Sequence, residues 1–395
     1  MLAPAILATS VAYSVFLSTP LGREPGGEYT HLSRTFGGFG IAFVGVWLKI
    51  ISYIGALAYL SRAFAEYVLQ LIDSRWPVQP VAVASLILFY AIHVAGVRWF
   101  GRVQVAMCAL LGVAIVILVG PGLFAIHRAN YEPFFTHSFR GFAASLPPLF
   151  FAYAGFESLA QTAGEVRDST TRLPRVFLRG ISLTMVIYFL MSVVAFGVLP
   201  AEQLAASSAP MTSAAARYLP FGSAWIVTLG AVMALTTSLN ATMLVPSRVA
   251  IMLAEDGLAP RWLGAISPRT GTPVIGLTIT LGAALILLVS GAISLALNIA
   301  VFALVILYFL HSFALLLLPR LNPELFAQVT VRTPLVVQRA SAILSIVAMG
   351  FIIVLQVIES RATIELAFVW AALGALVYAV TDRRTPGRVK DAEEA

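Results

Sequence analysis

Eleven apolar runs divide this chain, and a run of about twenty residues matches the ~30 Å hydrocarbon core of a bilayer at 1.5 Å of helical rise per residue. They lie near 2 to 19, 37 to 60, 80 to 97, 103 to 126, 141 to 164, 176 to 199, 222 to 253, 272 to 290, 293 to 318, 340 to 358 and 362 to 380. Backbone polar groups inside hydrocarbon must be satisfied within their own segment, so such runs are expected to be helices. Composition agrees, since 59% of the 395 residues are hydrophobic and 11% are charged, against about 25% charged in an ordinary soluble domain. The connecting segments are too short to house a separate module. The chain therefore reads as an all-α integral membrane protein whose spans pack into one bundle within the lipid bilayer.

The net charge of +7 takes its meaning from where the basic residues fall. Loops after the first, third, fifth, seventh and ninth spans, together with the tail, hold eighteen of them; the opposite loops hold six, and Lys49 alone lies inside a span. Cytoplasmic loops retain Lys and Arg, so the first set and the tail at 381–395 are expected in the cytoplasm, and the protein in the cell membrane. Eleven spans then place Met1 outside, although this end carries no basic export signal. Either the N-terminus is outside or a further helix lies upstream. No basic patch with interleaved aromatics points to nucleic acid.

Several chemistries lack residues. Cys108 is the sole cysteine, so neither an intrachain disulfide nor a thiolate metal cluster is available. The five histidines are scattered, with no HExxH and no GxxxxGK[ST] phosphate loop, and no nucleophile, base and orienter can be grouped into an enzyme site. His93 and His311, inside spans, read as hydrogen-bonded bundle residues rather than ligands.

Three polar features interrupt the apolar runs. FAYAGFESLAQ, residues 151–161, puts Gly155, Phe156 and Glu157 at the middle of a span, where a carboxylate is costly and glycine weakens a helix. Two readings fit: a helix unwound around a polar cavity, as in the broken helices of secondary transporters, or a continuous helix with a protonated Glu157. GVWLKIISYIGALAY places Lys49 too deep to reach the interface easily, on a small, polar face with Gly45, Ser52, Tyr53, Ala56 and Tyr59. Lys49 and Glu157 are the only charges near mid-span, so they are expected to share a cavity and are candidates to pair directly; the alternative is a buried structural ion pair without substrate contact. ALTTSLNATM, residues 234–243, carries Thr236, Thr237, Ser238, Asn240 and Thr242. These groups suit either a hard cation such as Na⁺ or ordinary helix packing.

Three stretches, in order, resemble one known family, the amino acid/polyamine/organocation (APC) superfamily of permeases. FFAYAGFESLAQTAGEVRDSTTRLPRVFLRGI, residues 150–181, is similar to that family's sixth helix and following loop. SLNATMLVPSRVAIMLAEDGLAPRWLGAISPRTGTPV, residues 238–274, resembles its eighth helix and loop, and GREPGGEYTHLSRTFG, residues 22–37, the loop between its second and third helices. The resemblance implies an inverted-repeat (5+5 helix) transporter fold with two extra C-terminal helices. On that map residues 1–126 hold four spans of an incomplete first repeat, 141–318 the five spans of the second, with its first span broken, and 340–380 two accessory helices. The family's first helix has no counterpart here and is expected upstream of Met1.

The resemblance further implies a secondary active transporter of amino acids or related amines, coupled to H⁺ or Na⁺ or exchanging, and working by alternating access without another cofactor. It implies that Ala154, Gly155 and Phe156 form an unwound segment facing the substrate amino group, with Phe151 and Tyr153 as aromatic gate candidates. Glu157 becomes a candidate for proton coupling, and Thr237 and Ser238 match the family's cation-coordinating region. Lys49 is not carried over from the resemblance; as a candidate counter-ion for a substrate carboxylate, or a fixed charge in place of a bound cation, it is grouped with its helix neighbour Tyr53. The competing reading is a truncated, non-transporting relative that serves as a sensor or assembly partner.

Overall fold

The computed structural model describes residues 2–24, 27–132, 138–161, 163–207, 210–220, 223–331 and 333–382. The tail expected in the cytoplasm lies outside them from residue 383 onward. Among the described residues the chain is helical, with no strand. In order the helices are α1 (Leu2–Leu17), α2 (Glu28–Phe36), α3 (Phe39–Leu71), α4 (Val78–Ala95), α5 (Val97–Gly122), α6 (Ser138–Phe151), α7 (Ser158–Gln161) and α8 (Ser169–Val198). They continue with α9 (Ala201–Ala206), α10 (Pro210–Ala215), α11 (Ser223–Glu255), α12 (Val274–Val289), α13 (Ile293–Leu321), α14 (Pro323–Ala327), α15 (Leu335–Glu359) and α16 (Arg361–Asp382).

Each apolar run of the sequence but the fifth falls on one of these helices. Eight described helices are long and apolar enough to cross a membrane, and α1, the apolar part of α6 and α12 are shorter apolar helices. The result is a multi-pass, all-α membrane protein. The helices differ in how much of themselves they hide: 78% of the apolar window of α3 is buried against 17% of that of α16, which places α3 at the centre and α16 at the rim. A bilayer exerts no hydrophobic pressure between helices, so close approach has to come from small residues and specific bonds. Gly55 shows the first device: a Cβ there would lie 2.4 Å from the Ala296 carbonyl oxygen, so α3 meets the backbone of α13 directly. Trp47 and Trp370 show the second. Their rings stack at 4.6 Å and each indole N–H donates to the other residue's carbonyl, at 2.7 and 2.8 Å, clipping α16 to α3.

The fifth run, 141 to 164, is not one helix. Regular helix stops at Phe151 and resumes at Ser158, and the four-residue α7 ends at Gln161. Pro147 and Pro148, inside α6, withhold two amide donors just ahead of this gap. Between the two reading options for this span, the interrupted one is observed.

The Gly55 contact gives a direct test of helix approach. Gly55→Ala is expected to destabilise the protein by ~1–3 kcal/mol through overpacking, seen as a lower unfolding midpoint in detergent. Gly112→Ala, where an added Cβ meets nothing within 4 Å, should not lower it.

Candidate substrate site

The interruption opens onto a cavity of about 440 Å³ walled by α3, α5, α8, α11, α13 and the segment between α6 and α7. Gly155 makes the sharpest bend, at φ 107°, a left-handed value that a side chain rarely adopts. With the helical ladder broken, its amide donates instead to Glu157 Oε2 at 2.9 Å. No described residue donates a hydrogen bond to the carbonyls of Tyr153 or Ala154. Free carbonyls at membrane depth are tolerated where they line a polar cavity.

Glu157 is fully buried, and its carboxylate is enclosed by donors. Tyr53 of α3 donates to Oε1 at 2.5 Å, while Oε2 accepts from Tyr308 of α13 as well as from the Gly155 amide. Ser158, the first residue of α7, shares a 2.6 Å hydrogen bond with the same Tyr53 hydroxyl. A carboxylate is an acceptor only, so three donors satisfy it without a cation. Each such bond to a charged group is worth about 1.5–3 kcal/mol.

Of the residues singled out in the sequence, Phe151, Ala154, Gly155, Glu157, Tyr53, Thr237 and Ser238 are brought together in the cavity wall. Phe156 and Tyr153 are not. Phe156 turns into an aromatic cluster with Tyr13, Phe177 and Tyr308, and Tyr153 packs edge-on against Tyr188 at 5.0 Å. In the polar stretch of α11, Thr236, Thr237 and Ser238 donate their hydroxyl protons back to Val232 and Ala234 carbonyls of the same helix, leaving only oxygen lone pairs to offer elsewhere. Asn240 donates to Gln104 of α5 at 2.9 Å, and Gln104 and Thr242 also line the cavity. His93 donates to the Asn240 carbonyl at 2.8 Å, and His311 shares a 2.9 Å bond with His31.

The cavity expected to be shared by Lys49 and Glu157, with the candidate pairing between them, is corrected by the structure. Lys49 is fully buried and absent from the cavity wall, and its ammonium bonds both oxygens of Glu28, at 3.0 and 2.9 Å. Glu28 was read as a residue of the loop after the first span. It instead opens α2, whose residues Glu28 to Leu32 are all buried, so the segment tucks inward beneath the bundle. There the carboxylate also accepts from Tyr13 of α1 at 2.8 Å and from Gln161 of α7 at 2.6 Å. The signal was present in the sequence: a lysine at mid-span needs an acid, and Glu28 is the nearest one upstream on a segment with a helical apolar face. The physical reason for the correction is that Glu157 already has three neutral donors, whereas Glu28, buried on the inward-folded α2, lies within bonding reach of Lys49.

A family model for amino acid permeases matches residues 1–380. The chain belongs to the amino acid permease family. Among curated members it is 30% identical over 280 residues to an uncharacterized transporter of Mycobacterium tuberculosis, a match covering 68% of this chain and 61% of that protein. Over 323 residues it is 25% identical to Asc-type amino acid transporter 1 of Homo sapiens, covering 78% and 61%. Over 296 residues it is 25% identical to cationic amino acid transporter 1 of Arabidopsis thaliana, covering 70% and 50%. The chain spans about half to three fifths of the length of these relatives.

Breaking the Glu28–Lys49 pair from one side strands a charge. Lys49→Met is expected to cost roughly 3–5 kcal/mol, whereas Lys49→Met combined with Glu28→Gln should recover most of that loss. Unfolding midpoints of the two purified variants in the same detergent check it.

Proposed function

We propose that this permease is a secondary active transporter of amino acids or related amines in the cell membrane, coupled to protons and working by alternating access around the cavity at the interrupted helix. The observation that carries the reading is the juxtaposition in one wall of Ala154, whose backbone carbonyl accepts no hydrogen bond from a described residue, Glu157, and the lone pairs of Thr237 and Ser238. Carbonyls of an unwound segment are suited to an ammonium group. The volume of about 440 Å³ lies within the range of small-molecule sites, roughly 300–1,000 Å³. The relatives named as amino acid transporters support the same substrate class. On this reading α6 to α13 form the second inverted repeat, α1 to α5 contribute to the first, and α15 and α16 are accessory. The cytoplasmic assignment of the C-terminus follows from the placement of the basic residues.

Coupling is assigned to Glu157 because of its partners. Adding a proton converts one acceptor site of the carboxylate into a donor, and all three groups now facing it are donors. The new O–H needs an acceptor, which Tyr53 or Tyr308 becomes by redirecting its own hydroxyl proton, so the bonds around Glu157 rearrange. Proton uptake is thereby tied to the segment that lines the cavity. Thr237 and Ser238 offer oxygens to a cation, so Na⁺ is the other coupling ion that the test must separate.

The experiment is uptake of labelled L-alanine, L-serine and L-arginine into proteoliposomes under imposed proton or sodium gradients. Uptake of at least one that collapses with a protonophore is expected. Uptake indifferent to both gradients and to internal counter-substrate would refute coupled transport. Glu157→Gln is expected to retain substrate exchange while losing its response to the pH gradient. A pH profile identical to that of the unaltered protein reassigns Glu157 to structure alone.

A further inference from the structure

The four-residue turn α7 is tied down at both ends, and both ties lead to the same stripe of α3. At its start, Glu157 bonds Tyr53; at its end, Gln161 Nε2 bonds Glu28 Oε2 at 2.6 Å, and Glu28 is held by Lys49. Lys49 and Tyr53 are four residues apart on α3, so they share a face about 6 Å apart along the axis, and the Lys49 ammonium lies 5.5 Å from the Tyr53 ring centre. The tied residues Glu157 and Gln161 are likewise four residues apart in the chain. Gly27 makes the second tie possible. It sits at φ 49°, and a Cβ there would come within 2.7 Å of the Gln161 amide nitrogen.

Glu28, Lys49 and Gln161 are all buried and none lines the cavity. A ligand there does not touch them. Packing does not require them either, since a buried ion pair rarely outdoes apolar side chains of the same volume. The link to α7 differs from the pair itself: it is one hydrogen bond from a neutral amide, and it can break while the ion pair stays intact.

We propose that Glu28 and Lys49 are positioning residues for transport: through Gln161 they latch the inner turn of the interrupted helix against α3, and release of Gln161 is a step in reorienting the cavity. This rests on the transport reading above. The latched state has to be revisited in each cycle, so losing the tie depopulates it and slows turnover without altering the cavity wall.

The test separates the latch from the transport reading by using a measurement that needs no substrate. Gln161→Leu removes only the tie; Gln161→Glu sets a second carboxylate against Glu28. Hydrogen exchange of the 156–161 amides in detergent is expected to speed up about tenfold or more in Gln161→Leu, in line with loss of a bond to a charged group, and further in Gln161→Glu. In proteoliposomes, the Vmax of uptake should fall several-fold with KM within about twofold, and the stable double variant Lys49→Met with Glu28→Gln should share that defect. Exchange identical to the unaltered protein overturns the latch, and faster exchange with unchanged Vmax overturns its part in transport. If the unaltered protein takes up none of the three amino acids, the transport reading falls and the positioning role with it, while the exchange result alone still decides whether the tie exists.

Discussion

A carboxylate at membrane depth has no water to turn to, and two of them, Glu157 and Glu28, organise this molecule. Isolated, either would carry a desolvation cost of several kcal/mol. The chain answers by bringing donors from four helices: Tyr13 from α1, Lys49 and Tyr53 from α3, Gln161 from α7 and Tyr308 from α13. Those helices are distant in sequence. Their meeting around two acids gives the bundle interior specific contacts in a medium where apolar side chains gain little by leaving lipid for one another.

The interruption of the fifth span belongs to the same account. Pro147 and Pro148 weaken the ladder ahead of it, Gly155 supplies the left-handed bend, and Glu157 receives an amide that the broken ladder has freed. The acid therefore caps the break that places it. What stays uncapped includes the carbonyl of Ala154, a residue of the cavity wall, so strain and site arise from the same few residues.

The apolar runs are readable from sequence because length and hydropathy are one-dimensional quantities that hydrocarbon thickness converts into helices. Gly155 beside Glu157 was readable as an anomaly for the same reason, since both offend the local rule for a span. For the partner of Lys49 the sequence offers only a nearest upstream acid; the pairing itself depends on how α2 folds back, and a segment of mixed polarity between spans looks like surface until its burial is seen. Phe156 and Tyr153 illustrate a second limit. Membership of an unwound segment can be inferred, but an irregular backbone has no period, so which of its side chains face the cavity has to be observed. The hydroxyls of α11 fall between these cases: their position on the helix was evident, whereas the return of their protons to carbonyls of their own helix was not.

The two acids also differ in a way that bears on coupling. Glu28 has a cationic partner, and protonating it would leave the Lys49 ammonium buried against a neutral group, exchanging one stranded charge for another. Glu157 has only neutral donors, so a proton there removes a charge from low dielectric and strands none. The cost it does incur is geometric, a rearrangement of the hydrogen bonds by which Gly155, Tyr53 and Tyr308 hold the interrupted helix in place. Under the proposed mechanism this divides the labour: the acid paired with Lys49 supports the latch, while the acid held by neutral donors serves coupling.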